Sequence, residues 1–141
     1  MSSTPIAHKR LSQLQMASFA LTLIAVVQAG LGIGIASSVR GLRFSHTIVA
    51  ASFLLVGALV TFLAWRWSKV SSRNRKGVVM HAASIPVLAL VQWALGETGP
   101  TIVHIILGFA LLIAAVSMIM VAPRARRQVQ EAQAAREADL G

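Results

Sequence analysis

Cysteine is absent from this 141-residue chain, which removes a thiolate metal site, leaves no disulfide framework to read and makes cysteine usage silent on redox compartment. The four histidines are then the only good metal ligands. Charge is scarce as well: 12% of the residues are charged, against about 25% in soluble proteins. Apolar residues make up 56%, and the chain reads as a membrane protein. Acidic residues are missing from every apolar run. That argues against a proton-coupled exporter, which needs a carboxylate inside the membrane.

What is present is basic. A net charge of +9 would point to nucleic acid in a soluble protein, but here the thirteen Lys and Arg lie between and beyond the hydrophobic runs, where they report topology. Nucleic acid is not an expected partner; the lipid bilayer is. Met1 to Arg10 followed by apolar residues has the outline of a secretory signal. The hydrophobic run continues to about Ala36, past the roughly 7–15 residues of such a segment, and reads as a retained first span.

Four spans are expected, over about 13–39, 44–67, 77–95 and 101–121. They form a transmembrane domain over 13–122, between a polar amino-terminal segment, 1–12, and a tail, 123–141, rich in Ala, Gln, Glu and Arg. Each is long enough to cross a hydrocarbon core of about 30 Å at about 1.5 Å per residue. In the first, Ser18, Thr22, Ala25, Ala29, Gly32 and Ala36 make one small-residue face suited to close helix approach. His46, Ala50, Gly57 and Thr61 share a face of the second, and His104, Gly108, Leu111, Ala115 and Met118 share a face of the fourth. Trp65 and Trp67 end the second span as interfacial anchors. In the third, Pro86 cannot bond to the carbonyl of Ala82, which needs another partner; His81 and Gln92 face one way.

The expected fold is an all-α, up-down-up-down integral membrane four-helix bundle built from two helical-hairpin repeats. Four crossings put both termini on one side. That side holds eleven Lys and Arg, against Arg40 and Arg43 on the other, so the positive-inside rule places both termini in the cytoplasm and the chain in the plasma (inner) membrane.

The repeat carries the chemistry. Gln28-Ala29-Gly30-Leu31-Gly32 closes one hydrophobic helix and His46 enters the next; Gln92-Trp93-Ala94-Leu95-Gly96 closes another and His104 follows it. Both histidines begin the outer ends of their helices at nearly one depth, on the helices that occupy diagonal corners of such a bundle. Two imidazoles so placed suit haem iron as an axial pair, with the small residues Ala50 and Gly108 one turn deeper leaving room for a porphyrin. The plainer alternative is a polar residue hydrogen-bonded to water or to a neighbouring helix. Gln28 and Gln92 read as interhelical hydrogen-bond donors. Arg40 and Arg43, the only outer cations, are solvated loop charges or partners for haem propionates. His81, near the opposite end, is expected to meet lipid headgroups or the basic 68–76 loop, and His8 is assigned no role.

On these two Gln-to-Gly segments and their following histidines, the chain resembles one four-helix half of the heme A synthase family. The resemblance implies a bundle with haem held toward the outer side by histidines on the second and fourth helices, here His46 and His104. That family has two such halves and this chain has one. The active half carries an acidic residue close before the first histidine, where this sequence has Arg43. Haem-modifying catalysis is therefore not expected. A b-type haem protein for electron transfer or haem handling is the first expectation, and a cofactor-free accessory or assembly subunit of a membrane complex is the alternative. A homodimer rebuilding the eight-helix shape is a further possibility.

Overall fold

The computed structural model describes residues 5–69, 75–98 and 101–121, together with positions 123, 124, 127, 134, 135 and 138 of the tail. The long apolar runs become four helices: α1 (Pro5–Ala36), α2 (Leu42–Ser68), α3 (Arg75–Thr98) and α4 (Thr101–Ile119). Each is long and apolar enough to cross a membrane. The shortest, with 19 residues, spans about 28 Å. The chain is a multi-pass integral membrane protein. α1 and α3 each pack on both α2 and α4, so neighbours in sequence are neighbours in space and α2 lies diagonally from α4.

The faces expected from small residues are the ones that pack. Ser18, Ala25, Gly57, Leu111, Ala115 and Met118 are buried, together with Leu14, Leu21, Val60 and Ile85. Ser18 donates to Leu14 O at 2.8 Å, which satisfies a hydroxyl that has no water to turn to. Leu23, Leu55, Leu90, Ile106 and Ile113 are exposed on the outside of the bundle, where a bilayer would contact them.

Pro86 lies within α3, which continues through it. The carbonyl of Ala82 that it leaves free lies 2.9 Å from Thr61 Oγ1 on α2. The same hydroxyl is 2.9 Å from Gly57 O in its own helix, so one donor serves two acceptors. Gly57 lies at this contact, where a Cβ would sit at ordinary packing distance, 3.7 Å from Pro86 Cβ and Cδ.

Three expectations are corrected. α1 already runs from Pro5 rather than from near Gln13, and Leu11 is buried against Trp67 and Val78. Arg10 Nη1 also donates to Arg66 O at 2.8 Å. Trp67 is consequently a core residue, 6% exposed, while Trp65 stays at the surface. α1 also ends three residues early. Ser38 takes a left-handed φ of 65°, and Ser38 N–H donates to Ile35 O and Val39 N–H to Gly34 O, a Schellman stop with serine where glycine is usual. The expected tail helix lies largely outside the described residues, as do residues 70–74 of the basic loop and 99–100 of the last turn.

Candidate functional site

Among the described residues, none from 28 to 46 and none from 92 to 108 is fully buried. This outer end of the bundle is lined by small residues and by two glutamine and histidine pairs. Gln28 leaves the last third of α1 and reaches α2, where its Nε2 amide donates to His46 Nε2 at 3.0 Å. Gln92 does the same from α3 toward α4 with a different pattern. Its amide donates to the His104 backbone carbonyl at 2.8 Å, and His104 Nδ1–H donates to the Gln92 carbonyl at 3.0 Å.

The two rings meet across the diagonal, with centroids 6.4 Å apart and planes at 54°. In both, the bonding puts the proton on Nδ1 and leaves the Nε2 lone pair as the acceptor. That tautomer, fixed through a carbonyl as in His104, is the one that presents Nε2 to a metal. With metal–imidazole bonds of about 2 Å, two rings sharing one ion have centres about 6 Å apart. The ring separation matches that of an axial pair, and for His46 to serve in one Gln28 would have to release its Nε2. Three enclosed atoms here have no protein partner, His46 Nδ1, Gln28 Oε1 and Gln92 Oε1, and buried polar atoms of that kind call for a ligand or water.

The glycines that close each repeat back the rings. A Cβ on Gly32 would lie 3.6 Å from His46 Cε1, and one on Gly96 would lie 3.0 Å from His104 Cε1. The four-residue Gln-to-Gly spacing is visible in the sequence, but its role is not: one residue holds the histidine and the other makes space for it. Gly96→Ala is expected to push the His104 ring and cost about 1–3 kcal/mol. Gly32→Ala, at ordinary contact distance, is expected to be tolerated. Thermal unfolding of both variants in detergent checks this, and equal shifts would contradict the asymmetry.

Other expected site residues fall differently. Ala50 is half-buried on the His46 face. Gly108 gives Gln92 space, since a Cβ on it would lie 3.1 Å from Gln92 Nε2. Arg40 and Arg43 are exposed at this end, in the loop and the first turn of α2. His81 Nε2 donates to Ser117 Oγ on α4 at 2.6 Å, and Ser117 Oγ donates to Ala114 O at 2.8 Å. It faces α4 from the same side of α3 as Gln92. Comparison of the chain with protein-family models, curated proteins and solved structures returns no match.

Proposed function

We propose that this chain is a small b-type haem-binding membrane protein that transfers electrons or handles haem, with His46 and His104 as the axial pair. The observation that carries the reading is the meeting of two imidazoles, 6.4 Å apart, from diagonal helices at one end of the bundle. Haem iron held there supplies one-electron chemistry. The chain's own residues do the rest. Gln92 fixes the His104 tautomer and ring orientation through its backbone carbonyl, and Gln28 orients His46 through Nε2, the nitrogen that would ligate a haem iron. Gly32 and Gly96 leave the rings room, and Arg40 and Arg43 are the cations available to the propionates. Oxidised and reduced optical spectra of detergent-purified protein, produced with ample haem, test the reading. A Soret band is expected, and its absence sinks the proposal.

A second reading rests on the hydrogen bonds themselves. Gln28 and Gln92 already tie each histidine to the preceding helix, and Gln92 fills the space at Gly108, as a cofactor-free accessory or assembly subunit would require. The same spectrum separates the two. Self-association into an eight-helix dimer belongs with the first reading.

Both readings place the histidine end of the bundle outside and both termini in the cytoplasm of a cell with a plasma (inner) membrane, on the eleven-to-two distribution of cations. A reporter fused after Gly141 is expected to read cytoplasmic, and one inserted in the 40–44 loop external. The reverse pattern would overturn the orientation.

A further inference from the structure

At the end of the bundle opposite the histidine pair, α2 and α3 part to leave a cleft of about 350 Å³ lined by Trp65, Ser68, Lys69, Lys76, Val79 and Met80. Its composition is divided. Val79, Met80 and the Trp65 indole give an apolar wall, and Met80 is 72% exposed, so nothing in the chain's described residues covers it. Lys69 and Lys76 supply two ammonium groups. The Lys69 ammonium lies over the Trp65 ring, 5.1 Å from its centroid, which holds the charge at the level where tryptophan meets the membrane interface.

These two cations lack a counterion within the helices. The first ninety-six residues contain no Asp or Glu, and Glu97 lies at the far end of α3. The remaining carboxylates, Glu131, Glu137 and Asp139, belong to the tail. Two like charges sharing one cleft repel each other unless an anion joins them. A ligand that satisfies the whole cleft must carry a phosphate or similar anion at one end and an apolar chain at the other, in a position bathed by lipid. Basic pockets between membrane helices take acidic headgroups for this reason.

We propose that this α2–α3 cleft is a binding site for an anionic phospholipid, whose phosphate lies between Lys69 and Lys76 and whose acyl chain runs along Trp65, Val79 and Met80. The site is independent of whether haem is bound at the other end.

The test uses the purified full chain in phosphatidylcholine nanodiscs doped with lipid brominated high on the acyl chain, read by quenching of tryptophan fluorescence. Brominated phosphatidylglycerol is expected to quench several-fold more than brominated phosphatidylcholine at equal mole fraction, and the preference falls as salt is raised. Lys69→Gln/Lys76→Gln abolishes the preference, and Lys69→Arg/Lys76→Arg keeps it. Lys9→Gln, which removes a cation at the same end but outside the cleft, leaves it in place. Equal quenching by the two lipids overturns the proposal, as it would if the tail carboxylates neutralised the lysines. A preference that survives in the double glutamine variant, or is lost equally in Lys9→Gln, overturns it too, because general surface charge would then be the cause.

Discussion

Alanine at either His46 or His104 is expected to abolish or drastically alter the low-spin haem spectrum, whereas His81→Ala leaves it unchanged. The size of the effect follows from the donor set. With no cysteine in the chain and no group of three or more His, Asp or Glu among the described residues that could hold a metal, removing one imidazole leaves no second strong ligand nearby, and one axial position opens. The remaining histidine keeps its own glutamine. His46 depends on Gln28 from α1, and His104 on Gln92 from α3, so each hairpin folds around its own pair. His81 bonds to Ser117, eleven residues down α3 from Gln92, about 16 Å along the axis. Arg40→Ala and Arg43→Ala are expected only to loosen haem retention, since exposed ion pairs contribute about 0–1 kcal/mol. Identical spectra for His46→Ala, His104→Ala and wild type would remove the axial pair.

The architecture was legible because membrane helices announce themselves by length and by the absence of charge, and because close packing in lipid selects small residues that recur at helical spacing. Ser18, Ala25, Gly57 and Ala115 were assigned to the interior on that basis and lie there. The Ala82 carbonyl freed by Pro86 could be seen to need a donor, though not that Thr61 would provide it, since the register of α2 against α3 is a tertiary property. Ser38 gave no sign of a helix stop, because its left-handed conformation is imposed by the hairpin rather than preferred by serine. Leu11 and Trp67 misled for a related reason. A polar amino-terminal segment conceals one leucine that finds a tryptophan 56 residues later, and only the fold brings them together. At the candidate site the pairing of His46 with His104 followed from helix order and depth. The function of Gly108 did not, because a glycine facing inward can make room for a cofactor or for a neighbouring side chain with the same sequence signature.

Packing rather than hydrophobicity holds these helices together, and Ile85→Ala is expected to show it. In a bilayer an apolar side chain gains little by leaving lipid for the bundle interior, so the stability of α2 against α3 comes from contact and from hydrogen bonds such as the one between Thr61 and Ala82. Ile85 is fully buried where α3 faces Gly57 of α2; its Cγ2 would lie 3.7 Å from a Cβ on Gly57. Truncation there leaves a cavity that rigid helices close only in part. Large-to-small changes at such sites cost about 2–5 kcal/mol in soluble cores, and the lower part of that range is expected here because lipid is as apolar as the interior. Leu55→Ala removes the same number of carbon atoms from a position that is 71% exposed, and it should change stability little, since lipid or detergent chains replace the lost contacts. Thermal unfolding of the two variants and wild type in one detergent separates the causes: a marked drop for Ile85→Ala beside a near-neutral Leu55→Ala supports packing. Equal drops would mean that apolar area alone stabilises the bundle, and the α2–α3 interface built on Gly57, Thr61 and Pro86 would lose its assigned role.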